Sequence, residues 1–326
     1  LPVPGPTGAL TIFADVPIKG AFSGAQGGVV AAEGPDGAVF VAGAVVSPQI
    51  VWVVDRTSPA GVAEHVAGPV TALAADTNNL YVGIGKSVYA YSRTTGALVH
   101  TWTQTALFGT VNQLAVAGNR LWGLYTAPDA GPPVAPAALV EIDPSSNSVV
   151  RTVTGITGAF SMASSAAGVY YVTNSSSQVV EQTNDGHTTT APTKQAVDLQ
   201  LSGPSAIQAI AVVGGQLVLQ HDAGQGLDAV LNTYDATSLA GPSAPIPFSA
   251  AEQLLSTPSG LFVVGNPDTG ACTSGQQVCV RRFSLSGGNV GTGLALPDDT
   301  DASTLTGPDP TVVLGEGSDL HVLRIS

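Results

Sequence analysis

Few side chains in this chain are of a type and spacing that could do chemistry. His221 stands beside Asp222, and a histidine next to a carboxylate can bind a metal or act as a base. Glu252-Gln253, Asn112-Gln113 and Gln208 add a mostly amide set with one carboxylate. Amides are poor proton-transfer groups, so this set points to hydrogen bonding of a polar ligand or a sugar. Asp298, Asp299 and Asp301 offer hard oxygen donors suited to calcium or another divalent metal. They lack the spacing and the glycine of an EF-hand loop, and a solvated acidic loop is the plainer reading. No nucleophile elbow, H-E-x-x-H, P-loop or dinucleotide-binding glycine pattern occurs. No cofactor is therefore expected.

Cys272 and Cys279 are the two cysteines, with six residues between them. That spacing suits a clasp at a hairpin loop. A disulfide there would contribute about 2–3 kcal/mol in the chain-entropy model, and it would imply an oxidising, extracytoplasmic compartment. A zinc site usually needs four ligands, and no histidine lies nearby. A pair of free thiols is the remaining alternative. Of the other titratable groups, His65, His100 and Arg151 fall at matching places four residues past a turn, which predicts exposure on an outer strand. His187 lies in a Thr-rich polar loop, and His321 in a late strand.

The elements that must hold these groups are short. Gly, Pro, Ser, Thr and Asn interrupt every segment within about ten residues, and Val, Thr, Tyr and Leu fill the segments between; this reads as all-β. One strand type recurs: Ala38-Val39-Phe40-Val41, Asn79-Leu80-Tyr81-Val82, Arg120-Leu121-Trp122-Gly123, Gly168-Val169-Tyr170-Tyr171, Gln216-Leu217-Val218-Leu219, Gly260-Leu261-Phe262-Val263 and Pro310-Thr311-Val312-Val313. Its third residue forms an apolar or aromatic column every 41 to 50 residues. Each recurring strand has one neighbour before it and two after it. Four antiparallel strands at this period are the blade of a β-propeller. From the inside outward the strands are A, B, C and D.

The expected fold is a single seven-bladed β-propeller over residues 1–326, with an N-terminal segment at 1–24. Blades are expected at about 27–68, 69–106, 111–155, 159–203, 205–248, 250–297 and 303–326. The last lacks a D strand, and residues 9–14 are expected to supply it and close the ring, which removes free sheet edges.

The stretch Asn79 to Leu98, reading NLYVGIGKSVYAYSRTTGAL, resembles a repeat of the PQQ-like propellers, and Tyr171-Val172-Thr173-Asn174 resembles the repeat that names the YVTN propellers. Such proteins include quinoprotein dehydrogenases, outer-membrane assembly lipoproteins, lyases and binding proteins. Their repeat motif is structural, so the resemblance implies architecture and assigns no functional residue. Quinoprotein dehydrogenases carry recurrent tryptophans at blade ends; here Trp52, Trp102 and Trp122 are the only ones, and Trp102 alone fits.

Composition narrows the partners. Ten Lys and Arg against 23 Asp and Glu give a net charge of −13, which would repel a phosphate backbone and an anionic lipid surface. No apolar run reaches the length of a membrane-spanning helix. The chain begins Leu1-Pro2-Val3-Pro4, with no signal pattern, so a leader removed from a secreted or lipid-anchored protein is an expectation rather than a reading. A monomer is expected.

The A–B turns are short, whereas the B–C loops vary in length. Variable insertions gather on the binding face of repeat proteins, so the B–C/D–A end is expected to carry the function. The starts of the A strands place Asn112, Gln113, Ser161, Gln208, Glu252 and Gln253 at the channel mouth on that end. The leading expectation is a non-catalytic propeller that binds a protein or glycan there. The alternative is a lyase- or hydrolase-type enzyme with Glu252 and His221 near a metal, and a third is a structural module.

Overall fold

The computed structural model describes residues 10, 12–20, 28–43, 50–54, 62–66, 68–127, 136–173, 178–192, 207–221, 230–240, 246–247, 251–257, 260–265, 279–284, 288–289, 293–296, 300–307 and 310–325. Among them every regular element is a strand, and the strands form seven antiparallel sheets. The first holds β2 (Val29–Glu33), β3 (Val39–Gly43), β4 (Ile50–Val54) and β5 (Val62–His65). The second holds β6 (Ala72–Ala75), β7 (Asn79–Ile84), β8 (Ser87–Ser92) and β9 (Leu98–Thr103). The third holds β10 (Thr110–Ala117), β11 (Arg120–Thr126), β12 (Pro136–Asp143) and β13 (Ser148–Thr157). The fourth holds β14 (Ala159–Ser164), β15 (Gly168–Thr173), β16 (Gln178–Thr183) and β17 (Thr188–Pro192). The fifth holds β18 (Ile207–Val213), β19 (Gln216–His221), β20 (Val230–Asp235) and β21 (Ile246–Pro247).

In the sixth, β22 (Ala251–Thr257), β23 (Gly260–Gly265) and β24 (Cys279–Ser284) are followed by an outer strand in two pieces, β25 (Gly288–Asn289) and β26 (Leu294–Ala295), both paired with β24. The seventh runs β27 (Thr300–Thr306), β28 (Thr311–Glu316) and β29 (Asp319–Ile325), and β1 (Ile12–Ile18) pairs antiparallel with β29. The expected N-terminal strand at 9–14 thus lies a few residues later. Val16 and Ile18 supply its buried face while Asp15 and Pro17 point outward, the period-2 pattern of a half-buried strand.

The column read from the sequence is buried in all seven sheets: Phe40, Tyr81, Trp122, Tyr170, Val218, Phe262 and Val312. In the first five sheets its partner on the inner strand is alanine: Ala32, Ala74, Ala115, Ala163 and Ala211. Inner strands crowd together near the middle of the molecule, so a small residue there faces a large one on the next strand out. The second strands are covered on both sides and therefore read as continuous apolar runs, as in Val39–Gly43 and Gly168–Thr173. The outer strand β9 alternates and is mostly accessible.

Apolar clusters join each sheet to the next. Val82 and Leu80 pack with Phe40 and Ala42 between the first two sheets; Leu219 and Tyr234 pack with Tyr170 and Val172 between the fourth and fifth. One cluster joins the first sheet to the last, through Val39, Val41 and Val54 against Val313, Leu320 and Val322. Each fully buried Val, Leu or Phe contributes roughly 1.5–3 kcal/mol, so the packing between sheets carries the fold.

Candidate functional site

The starts of the inner strands and the B–C connections share one end of the molecule. There β2, β6, β10, β14 and β27 line a cavity of about 320 Å³. Its described lining holds Asn112, Gln113, Thr71, Thr304 and Met162 among apolar residues, and no titratable side chain. The Thr71 hydroxyl donates to the Gly83 carbonyl at 3.2 Å and also meets the Val111 carbonyl of the next sheet. Asn112 is exposed; its amide donates to the Thr126 hydroxyl and accepts from the Thr110 hydroxyl at 3.1 Å. Neutral donors and acceptors of this kind bind polar ligands and do not move protons.

The register reveals what makes this end special. Strand β10 breaks pairing between Val111 and Gln113, so Asn112 is an extra residue. Strand β18 breaks at the same repeat position, at Gln208, and β22 at Glu252. Strand β14 breaks over Phe160 and Ser161. In β27 the break falls one pair nearer the strand start, at Asp301. A bulge leaves one residue out of the ladder and re-aims it, a feature over-represented beside functional sites. Strand β2 runs without a break. Three residues picked from the sequence, Asn112, Gln208 and Glu252, are thus equivalents at one repeat position.

The remaining expected residues fall as follows. Gln113 and Gln253 are the first paired residues after their bulges, opposite Leu124 and Val264. His221 ends β19 opposite Ile207, next to the bulge at Gln208. Asp222, Asp298, Asp299 and Cys272 lie outside the described residues. Cys279 is fully buried at the start of β24. Among the described residues no group of three or more His, Cys, Asp and Glu is placed to hold a metal ion, and no helix is long and apolar enough to cross a membrane.

Sequence reasoning missed Phe108. It lies in the connection between β9 and β10, four residues before Asn112, with 77% of its surface exposed. The neighbouring Gly109 has a φ of +93°, and a Cβ there would sit 2.2 Å from the Thr126 carbonyl oxygen. The loop is therefore pinned against the end of β11, and the ring stands out from a fixed base. The available signal was an aromatic residue followed by glycine in a polar connection.

The opposite end, where the A–B and C–D turns meet, is built from ion pairs. Arg93, from the C–D turn of the second sheet, pairs with Asp36 of the first and lies 5.1 Å from the Phe40 ring centre. Asn184, from the fourth, donates to the Ala117 carbonyl at 2.9 Å and accepts from Trp122 Nε1 at 3.0 Å. Arg324 joins the last sheet to the first, through Glu33 at 3.4 Å and the Gly37 carbonyl at 2.7 Å. Glu141 takes Arg151 at 2.6 Å and Arg120 at 3.5 Å. The Ser145 hydroxyl and Arg120 hold Asp143 well below the usual carboxylate range, and Arg93 lowers Asp36.

Arg151 is not the free surface group its position on an outer strand suggests. It is half-buried, because it bridges Glu141 and the Thr183 carbonyl and lies 5.0 Å from the Trp122 ring centre. His100 occupies the matching register place and stacks near Trp102, with ring centres 4.8 Å apart. His65 does not match them: it pairs with Ile50, and Val62 holds the equivalent place. His321 Nδ1 meets Asp15 of β1 at 3.1 Å.

No family model matches the chain, and no curated protein matches it. Solved structures do. The WD40 repeats of RRP9 superpose with a TM-score of 0.63 at 12% identity, covering 97% of both chains. A streptogramin B lyase gives a TM-score of 0.63 at 12% identity, covering 97% of this chain and 98% of that one. The virginiamycin B lyase of Staphylococcus aureus, in selenomethionine form, gives 0.62 at 9% identity, covering 95% and 99%. At these identities the likeness is one of fold: the chain is a β-propeller, of the architecture shared by WD40 repeats and by streptogramin lyases.

Proposed function

We propose that the chain is a seven-bladed propeller closed by β1, and that it binds a protein or glycan ligand at the B–C/D–A end without catalysing a reaction. The exposed Phe108 beside the bulged Asn112 carries this reading. A fixed aromatic ring is a typical anchor at an interface, and the adjoining cavity offers neutral hydrogen-bonding groups in place of an acid and a base. The cluster joining the first and last sheets and the β1–β29 pairing support the closed ring. The repeats are of the PQQ-like or YVTN type. A Cys272–Cys279 disulfide and an extracytoplasmic, monomeric protein complete the proposal.

The test uses the full chain. Wild type, a double variant Phe108→Ser with Asn112→Ala, and Ser146→Arg on the opposite end are each used for pull-down from a native envelope fraction and on a glycan array. The partner or glycan held by wild type is expected to be kept by Ser146→Arg and lost by the double variant. Equal retention by the double variant overturns the site. A stoichiometric divalent ion that Glu252→Ala removes would instead favour a metal-dependent lyase or hydrolase.

A further inference from the structure

At the A–B/C–D end, one residue in each of three C–D turns plays a repeated part. Arg93, Asn184 and Ala236 each donate their backbone N–H to a carbonyl of their own sheet's A–B turn: Asn78 at 2.9 Å, Ala167 at 2.8 Å and Gly215 at 2.9 Å. Each also addresses the column residue of the preceding sheet. Arg93 covers Phe40, Asn184 accepts from Trp122 Nε1, and the Ala236 carbonyl accepts from the Tyr170 hydroxyl at 2.7 Å. The inserted side chains of Arg93 and Asn184 rest against Gly34 and Ala117, which hold one repeat position where the inner strands of the preceding sheets run into their A–B turns.

The junction between the second and third sheets departs from this rule. Pro144 holds the repeat position of Arg93 and Asn184, and it can neither donate its backbone nitrogen nor reach across. The seat it fails to fill is a cavity of about 240 Å³, lined by Asp76, Asn78, Asn79, Tyr81, Arg120 and Pro144 among others. Where Gly34 and Ala117 stand in the filled seats, this one carries the carboxylate of Asp76. Tyr81, whose hydroxyl has no hydrogen-bond partner across the junction among the described residues, donates it back to Asp76 at 2.5 Å. Arg120 is occupied by Asp143 at 2.5 Å and by Glu141, so its charge does not cancel that of Asp76.

We propose that this empty seat binds an arginine side chain of a partner protein, which takes the place that Arg93 fills one junction earlier. The chemistry of the filled seat defines the guest. There a guanidinium meets a carboxylate, turn carbonyls at Asp76 and Thr77, and an aromatic face. The open seat presents the Asn78 and Asn79 side chains, the Tyr81 ring and the Asp76 carboxylate, whose oxygens already accept from the Asn78 and Asn79 backbone N–H groups and the Tyr81 hydroxyl and keep lone pairs for a further donor. A planar, multiply donating cation suits that set better than an ammonium. This site is at the opposite end from Phe108 and stands or falls separately from the ligand proposed there.

The probe is N-acetyl-arginine amide, followed by amide NMR on the full chain, with N-acetyl-norleucine amide as the neutral control. Saturable shifts are expected at Asn78, Asn79 and Asn119 with the arginine probe only. Pro144→Arg, which supplies the guanidinium from within, should abolish them. Asp76→Asn keeps the turn-accepting oxygen and should weaken probe binding about tenfold or more; it serves if Pro144→Arg does not fold. Equal shifts with norleucine amide, no shifts at tens of millimolar arginine probe, or unchanged binding by the folded variants would overturn the proposal.

Discussion

The two ends of this propeller are built from different materials. At the A–B/C–D end, scarce charges are concentrated into bonds that cross from one sheet to the next. At the B–C/D–A end, the inner strands are interrupted by bulges, and the described cavity is neutral. Bonds that cross between sheets hold neighbouring sheets in place. Interrupted pairing costs ladder hydrogen bonds and is kept where a side chain must be aimed. The contrast separates an end that holds the sheets together from an end that presents groups to a ligand, and substitutions at the two ends should behave differently.

The largest effect is expected at Arg324. It is 5% exposed and ties Glu33, itself 7% exposed, to the last sheet. Arg324→Met removes a cation that a buried carboxylate pairs with across the two sheets, a change that typically costs about 3–5 kcal/mol. Urea denaturation measures it. A loss under about 1 kcal/mol would mean that this end does not hold the first and last sheets together. Asn184→Ala comes next. It leaves Trp122 Nε1 and the Ala117 carbonyl without their partner, at roughly 1–3 kcal/mol.

Two tyrosines sharpen the comparison with a single atom each. Tyr170 donates to the Ala236 carbonyl at the bonded end, and burial together with Glu181 pushes its hydroxyl up to about 12. Tyr125 lies near the other end of its strand, where its buried hydroxyl has no hydrogen-bond partner among the described residues, and burial raises it as well. Tyr170→Phe should cost about 0.5–1.5 kcal/mol, whereas Tyr125→Phe should be neutral or stabilising. Equal losses in thermal denaturation would erase the distinction.

Much of the fold was legible because its cause is local and repeated. The column Phe40 to Val312 is a sequence period, and the structure buries every member of it. Asn112, Gln208 and Glu252 were legible as strand starts, though their equivalence as bulges was not, since a bulge depends on which partner residue each inner residue faces. The ion pairs were hidden for a different reason. Glu33 and Arg324 lie near opposite ends of the chain, and only the packing of the last sheet against the first brings them together. Arg151 looked exposed because an outer strand usually is; its pairing needs Glu141 beside it and Thr183 from the next sheet. Phe108 carries no repeat signal at all.

Acid should loosen the ends unequally. Arg93 lowers Asp36, the Ser145 hydroxyl and Arg120 lower Asp143, the Thr183 hydroxyl lowers Asp185, and the Ser238 backbone N–H lowers Asp235. All four sit in or beside A–B or C–D turns, against one at the opposite end, Asp319 beside the B–C turn of the seventh sheet, which the Gly20 backbone N–H lowers. Each folded value lies below the ordinary 3.8, so the stabilisation is complete above that pH and is lost as pH falls through the folded value. Hydrogen exchange, corrected for intrinsic rates, should show the C–D turns opening between pH 4 and 2 before the column strands. Uniform opening would remove the asymmetry.

The smallest effect on stability should accompany the largest on binding. Asn112 is exposed and stands outside the ladder, so Asn112→Ala removes an exposed hydrogen bond to Thr110 and a half-buried one to Thr126. A change of this kind stays within about 0.5 kcal/mol. If the bulge exists to aim a side chain, the variant should melt like wild type and yet release its ligand faster. A substitution that instead unfolds the third sheet would show that the bulge at Asn112 serves packing, and the division between the two ends would have to be redrawn around Phe108 alone.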